Sequence, residues 1–417
     1  MNGASDPDAP TAAPRGGGPE RKPYLDHHAT TPLDERVLEA MLPYLQDVFG
    51  NAASRTHAFG WAAEAAVDLA REELAEALGV ADPSEIVFTS GATESNNLAI
   101  LGLADAEELA GRGPGHVLTV ATEHRAVLDP CRALLRRGWR VTELSVDGDG
   151  RVSVEALTAA FEDDTRLVSV MAANNEIGVL QPVAEIAALC RERGVPFHTD
   201  AAQAAGRIAL SIDRDGLDLV SVSGHKLYGP KGVGLLRVRR RGRPRFRLEP
   251  RQYGGGHEGG LRSGTLPVAS IVGLARALSL CEAEREEEAV RLTGRRESQW
   301  ARLEAGLPGQ VRRNGHPTER LPGNLNVSIE GVDGERLLAD LGGLAVSSGS
   351  ACSSASPEPS HVLLALGHDP PLAHASLRFG LGRGNTPEDV ALAAERVISA
   401  AGAQLGPPDG LAASQRG

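Results

Sequence analysis

Between about residue 23 and residue 405, short runs of β-branched and aliphatic residues alternate with longer stretches in which Ala, Leu, Glu and Arg recur at helical spacing. That alternation predicts an α/β fold with a mostly parallel sheet flanked by helices. Five of the apolar runs lead directly into polar residues. Glu85 to Thr89 precedes Ser90-Gly91-Ala92-Thr93-Glu94, and Val117 to Ala121 precedes Thr122-Glu123-His124. Leu167 to Met171 precedes Asn174-Asn175-Glu176, Val195 to Thr199 precedes Asp200-Ala201-Ala202-Gln203, and Leu217 to Val222 precedes Ser223-Gly224-His225-Lys226. In open α/β sheets the ligand site lies outside the carboxyl ends of the strands, so these residues are expected to converge on one crevice. A single polar strand end carries no information. Five ends bearing Thr, His, Asn, Asp and Lys argue for a site.

The texture changes after about Glu282. Glu284 to Leu307 reads as a long, charge-laced surface helix, and strands such as Leu325 to Ile329 then alternate with short helices. The expected organisation is a large domain over residues 38–282 and a smaller α+β domain made of 23–37 with 283–405. Tails at 1–22 and 406–417, rich in Ala, Gly, Pro and Asp with little to bury, are expected to be disordered.

Composition narrows the function classes. Aromatic residues are 3% of the 417, so platforms for stacking nucleic-acid bases are scarce. Lys plus Arg is 43 against 55 for Asp plus Glu, a formal charge of −12, which argues against direct nucleic-acid binding. The local basic strip Arg237 to Arg247 (RVRRRGRPRFR) is expected to be a solvated surface loop. Cys131, Cys190, Cys281 and Cys352 stand far apart with no CxxC pair, so neither a disulfide framework nor a zinc site is written here. No apolar run is long enough to span a membrane and no secretory or transit pattern opens the chain, so a cytoplasmic protein is expected.

The converging residues suggest a chemistry. Ser90-Gly91-Ala92-Thr93 opens a helix expected from Glu94 to Leu103, and the N–H groups at such a start bind anions. A lysine at a buried strand end is costly unless it is paired or used covalently, and an aldehyde cofactor would use Lys226 as a Schiff base. Pyridoxal phosphate asks for such a lysine, an acid against its ring nitrogen and a phosphate cradle. Lys226, Asp200, and the Gly91 to Thr93 turn with Ser223 and His225 answer all three. His124 is suited to stack on the ring, and Gln203 and Asn175 to bond its phenolic oxygen or the substrate. Cys131, Cys190 and Cys281 sit in helical patterns as packing residues. Cys352 instead lies in Ser347 to Ser356, a run of small polar residues expected to form a mobile loop. A cysteine there is expected to be exposed and able to travel, as attack on a sulfur at the cofactor and its carriage outward would require; the alternative is an idle surface thiol.

With these residues the chain resembles the NifS/IscS-like cysteine desulfurases of the class V aminotransferase group. The likeness runs through Tyr24-Leu25-Asp26, SGATESNN (90–97), TEH (122–124), NNEIG (174–178), DAAQ (200–203), SGHKLYGPKG (223–232), GGGHE (254–258), RSGTLP (262–267), SSGSACSSASPEPS (347–360) and RFGLGR (378–383). The resemblance implies a pyridoxal-phosphate-dependent transferase fold (type I) and conversion of L-cysteine to L-alanine. In it Lys226 bonds the cofactor and moves the α-proton, and His124 assists. Ala92, Thr93, Ser223 and His225 hold the phosphate, joined by Thr265 from the neighbouring subunit of a homodimer. Asp200 pairs the ring nitrogen, Gln203 contacts the phenolic oxygen, and Asn175 and Arg378 bind the substrate carboxylate. Cys352 takes the sulfur as a persulfide, and a transferred iron-sulfur cluster could bind there. Implied partners are a sulfur-acceptor or iron-sulfur scaffold protein, with cluster assembly or tRNA thiolation as the outlet. Two positions depart from the pattern: Ala52 where the family has proline, and Gly259 where it has an arginine expected near the dimer-shared phosphate site. Rival readings are a selenocysteine lyase or aminotransferase on the same scaffold, a dinucleotide-dependent oxidoreductase, for which no GxGxxG follows a strand, and a catalytically silent regulator.

Overall fold

The computed structural model describes residues 22–242, 244–348 and 358–406. Among them, β1 (Ile86–Thr89), β2 (His116–Val120), β3 (Arg140–Leu144), β4 (Thr165–Ser169), β5 (Phe197–Asp200), β6 (Leu219–Ser223) and β7 (Gly234–Val238) form one sheet in the order β1-β7-β6-β5-β4-β2-β3. A second sheet, in the order β10-β9-β8, is built from β8 (Val311–Arg313), β9 (Asn324–Ile329) and β10 (Ser376–Gly380). In the large sheet β6, β5, β4, β2 and β3 are parallel, and β7 runs antiparallel between β6 and β1. β1 and β6 therefore end on the same edge, which gathers all five polar strand ends there.

The apolar runs become strands because both faces of the large sheet are covered. Side chains alternate across a strand, so Ile86 and Phe88 join Val120, Val168 and Val220 in the core on one face, while Val87 joins Val117, Leu167 and Leu219 on the other. Helices Ala58–Leu78 and Val183–Arg193 pack on the first face, Ala92–Leu109 and Arg125–Leu135 on the second. A further core under the small sheet holds Leu325, Val327, Leu377, Phe379 and Val397.

Two expectations are corrected in extent. The helix expected from Glu284 begins at Val268 and runs to Gly306. Its first half gives Ile271, Leu274 and Leu278 to the large core and its second half Leu292 and Leu303 to the small one, so it passes unbroken through Glu282. The helix expected from Glu94 starts at Ala92 and reaches Leu109.

The basic strip is corrected at its start. Arg237 and Val238 belong to β7, and Arg237 is 2% exposed. Its Nη2 forms an ion pair with Glu85 Oε2 (2.8 Å) and donates to Asp213 Oδ1 (2.5 Å), and its Nη1 donates to the carbonyl of Leu217. The buried Glu85 carboxylate and the exposed Asp213 carboxylate, both paired with the guanidinium, explain why a charged residue lies inside a sheet. Arg237→Ala is expected to strand Glu85 and to cost about 3–5 kcal/mol, measured as a lower urea midpoint of the protein. Arg240, Arg241, Arg245 and Arg247 are exposed, as a surface loop requires.

One N-terminal segment couples the small sheet to the large one. Tyr24 bridges Ala345, Asp26 bridges Gly380, and Leu25 sits in the small core. A few residues on, Thr31 donates its N–H and hydroxyl to the carbonyl of His225 (3.0 and 2.9 Å). No helix among the described residues is long and apolar enough to cross a membrane.

Candidate active site

A cleft of about 470 Å³ opens at the carboxyl ends of β1, β2, β4, β5 and β6, within the size range of small-molecule sites. Its wall brings together Ala92, Thr93, His124, Asn175, Asp200, Gln203, Ser223, His225 and Lys226.

The anion end is built from backbone. Gly91 precedes helix Ala92–Leu109 with φ +148°, a conformation that side chains rarely tolerate. No side chain caps that helix, so the first N–H groups and the positive end of the dipole remain for a ligand. Glu94 in the same turn does not compete for them. Burial works to raise its pKa, but bonds from Arg262 Nε (2.9 Å) and the Ser90 N–H (2.6 Å) outweigh that and hold it low.

The lysine end is built from the N-terminal segment. Lys226 Nζ donates to the carbonyls of His28 (2.5 Å) and Ala29 (2.8 Å). Beside it, His225 Nδ1 meets Thr30 Oγ1 at 3.1 Å. Burial, then the charges of Lys226 and Lys231, push the His225 pKa down to about 4, so its ring is neutral at pH 7.

Between the two ends lie Asp200 and His124. Asp200 Oδ1 accepts the N–H of Ala202 (2.9 Å) and Oδ2 accepts Asn96 Nδ2 (2.6 Å), which fixes the carboxylate plane. His124 caps helix Arg125–Leu135, its Nδ1 accepting the N–H of Ala126 at 3.0 Å. The neutral ring therefore carries its proton on Nε2, and burial, which lowers its pKa, keeps it neutral. Behind it, Glu123 is fully buried with Oε1 accepting the Met171 N–H. Burial and then the Asp200 charge raise its pKa well above the ordinary carboxylate value, which favours the protonated form.

Two expected residues are not in this wall. Arg378, on β10, donates Nη1 to the carbonyl of Asn175 (3.1 Å) and Nη2 to Asp26 (2.8 Å), while its buried Nε has no hydrogen-bond partner. It thus stands one residue behind the cleft. Thr265 is exposed and does not line the cleft of its own chain. Cys352 lies outside the described residues, as do 1–21 and 407–417 of the expected tails. On the far side of that segment, Ser360 Oγ donates to Glu176 Oε2 (2.5 Å) and His361 Nε2 to the carbonyl of Glu123 (2.9 Å). Glu176 is buried, and burial raises its pKa to about 7 against the opposing Ser360 bond.

The other cysteines are all buried. Burial raises the Cys131 thiol to about 12 and the Cys281 thiol to about 11, and moves Cys190 the same way. None of the three is a thiolate at neutral pH.

The departures at 52 and 259 have local explanations. Asn51 Oδ1 accepts the N–H of Ala53 and its carbonyl the N–H of Ser54 (both 2.9 Å), closing the turn around Ala52 without proline. Gly259 adopts φ +62° away from the cleft wall, and a Cβ there would come 2.9 Å from Arg240 Nη2.

Asn96, Glu123 and Arg207 carry roles here that their places in the sequence pattern do not assign. Asn96 follows Thr93 by three residues and so shares its helix face, a usable signal. Glu123 and Arg207 gain their roles only from partners distant in sequence.

The aminotransferase class-V family model matches residues 23–392. The chain is similar to the cysteine desulfurase IscS of Anaeromyxobacter dehalogenans (strain 2CP-C), 54% identical over 370 residues that cover 88% of this chain and 89% of the relative. It is similar to a cysteine desulfurase of Mus musculus, 52% identical over 375 residues, covering 90% and 80%. Among solved structures it is similar to a NifS-like protein, with a TM-score of 0.83 and 35% identity over 91% of this chain and 99% of that one. It is also similar to SspA in complex with cysteine, with a TM-score of 0.75 and 36% identity over 86% and 98%.

Proposed function

The chain belongs to the class V aminotransferase family and is a cysteine desulfurase, and from that premise we propose that its cleft holds pyridoxal phosphate, with Lys226 as the covalent anchor and Cys352 as the sulfur acceptor. The observation that carries this reading is one cleft with a lysine amine, a carboxylate fixed by Asn96, and an uncapped helix start after Gly91. The donor set fits the cofactor, with N–H groups for a phosphate at one end and an amine for an aldehyde at the other. When bound, pyridoxal phosphate supplies an electron sink that lets a proton leave the α-carbon of an amino acid.

The chain's own residues divide the remaining work. Ala92, Thr93, Ser223 and a neutral His225 hold the phosphate, with Thr265 of a second copy. Asp200, oriented by Asn96 and the Ala202 N–H, holds a proton on the ring nitrogen. His124, neutral with its proton on Nε2, would face the cofactor ring and could donate or take a proton at that atom. Gln203 serves the phenolic oxygen. Asn175 orients the substrate carboxylate, and Arg378, bonded to the Asn175 carbonyl and to Asp26, backs it from behind the cleft wall. That the SspA structure contains cysteine supports the same substrate here.

The sulfur step balances without an outside oxidant or reductant. The Cys352 sulfur bonds the substrate sulfur, the substrate C–S bond breaks, and the carbon takes up the proton that the Cys352 thiol gave. L-cysteine and a thiol become L-alanine and a persulfide, whose terminal sulfur then passes to an acceptor protein for cluster assembly or tRNA thiolation. A homodimer is supported by the apolar face at Phe49, Phe59 and Trp61, respectively 68%, 54% and 55% exposed. Such a face on a monomer would be left against water.

The test is an amino-acid assay. The protein with pyridoxal phosphate is expected to form alanine from L-cysteine, one per sulfide released by a reductant. Failure to form alanine would overturn the reading.

A further inference from the structure

A polar side chain bonded to the Lys226 peptide that this chemistry leaves without a task is Arg207, four residues after Gln203. Its Nη2 donates to the carbonyls of His27 (3.0 Å) and of Lys226 itself (2.9 Å). Its Nη1 donates to His28 Nδ1 (2.7 Å) and to Gln203 Oε1 (3.1 Å). All four acceptors are neutral, and all four belong to the segments that make the lysine end of the cleft. The carbonyls that receive Lys226 Nζ are those of His28 and Ala29, in the same short turn that Arg207 grips.

Desolvating a guanidinium costs several kcal/mol unless its donors are satisfied. A site that needed only packing would be filled more cheaply by an apolar side chain. The planar fork does what such a side chain would not, because it fixes the direction of each acceptor. His28 Nδ1 lies against both Arg207 Nη1 (2.7 Å) and Gln203 Oε1 (3.0 Å), so the three side chains form one cluster. Burial and then the Arg207 charge drive the His28 pKa well down. Gln203 is oriented in the same way. With Oε1 on the guanidinium and one N–H on the carbonyl of His28 (2.9 Å), the amide nitrogen is the end of Gln203 that has a donor left to offer.

We propose that Arg207 is a positioning residue that clamps the peptide of Lys226, the amide of Gln203 and the His27–Ala29 turn into one unit, setting the direction of the lysine amine and the orientation of the Gln203 amide. It touches neither cofactor nor substrate. The proposal rests on the reading that Lys226 anchors pyridoxal phosphate.

The experiment uses the full-length holoenzyme, with Arg207→Met, which keeps the stem but has no donor, and Arg207→Lys, which keeps the charge and donors. Two properties are read besides activity: the visible circular dichroism of bound pyridoxal phosphate, and the rate at which the cofactor is lost on dilution. Borohydride trapping on the wild type first locates the cofactor by mass spectrometry. If it is not on Lys226, the reading of the site fails whatever the variants do. With Lys226 labelled, Arg207→Met is expected to lose most of the dichroic band and to release cofactor about tenfold faster or more, the scale of hydrogen bonds to a charged group. Arg207→Lys is expected to stay near the wild type. An Arg207→Met holoenzyme with the wild-type band and loss rate would overturn the proposal, even with a lowered melting temperature. If Arg207→Met does not fold, Arg207→Gln, with an amide donor and no charge, takes its place. A wild-type band and loss rate in that variant would overturn the clamp, and a weakened band with faster loss would support it.

Discussion

Lys226→Ala is expected to yield a folded protein that forms alanine from L-cysteine at least about 10³-fold more slowly than the wild type, since positioned proton transfer alone contributes 10²–10⁴ and the covalent anchor is removed with it. The geometry explains why fold and activity separate. Lys226 follows the end of β6 in a short 3₁₀ turn, and its Nζ bonds are to two backbone carbonyls beside an open cleft, where water can replace an ammonium. The packing around it is carried by others: Thr31 is bonded to the carbonyl of His225, and Arg207 to the carbonyl of Lys226. Far-UV circular dichroism should therefore be unchanged. The holoenzyme should lose its yellow colour after dialysis, because only the phosphate end of the site still holds the cofactor. The measurement is alanine formation at saturating pyridoxal phosphate. A Lys226→Ala protein within tenfold of the wild type would mean that the amine is not the group that anchors the cofactor or moves the proton.

What the sequence showed and hid follows from the range of the interactions. The ends of β1, β2, β4, β5 and β6 were legible because each is a local signal, an apolar run followed at once by polar residues, and a parallel sheet puts such ends on one edge. β3 and β7 were not. β3 has partly exposed residues, and β7 begins at Gly234 and contains Arg237, which reads as part of a basic loop until Glu85 and Asp213 are seen beside it. The start of the long helix was hidden for a related reason. From Val268 to Cys281 its apolar residues serve the large core, and only after Glu282 do charges make the helical period visible. At the site, His124, Asp200 and Lys226 were found because each ends a strand. The Arg207 clamp and the Asn96 bond to Asp200 were not, because their meaning depends on residues as far off as His27 and Asp200. Arg378 illustrates the converse. Its role came from resemblance, and the fold sets it behind Asn175 with two of its donors committed.

Cys352→Ala is expected to stop sulfur release from L-cysteine while leaving the cofactor bound and the protein coloured. The acceptor must be a thiolate in reach of a substrate, and Cys131, Cys190 and Cys281 are buried with their thiols pushed upward by that burial. Cys131 is locked in helix Arg125–Leu135 and Cys190 in helix Val183–Arg193, while Cys281 donates to the carbonyl of Leu227 at 3.4 Å inside the large core. Loss of the nucleophile should lower sulfide release by at least about 10³-fold, as nucleophile deletions do in other enzymes. Colour should persist because the proposed cofactor contacts, from Ala92 to Lys226, do not include Cys352. The sharper measurement is the mass of the protein after brief exposure to L-cysteine without reductant. The wild type should gain the mass of one sulfur on the peptide bearing Cys352, and the Cys352→Ala protein should gain none. Sulfur appearing instead on a peptide carrying Cys131, Cys190 or Cys281, or sulfide released by Cys352→Ala at the wild-type rate, would remove the persulfide role from Cys352 while leaving the Lys226 assignment untouched.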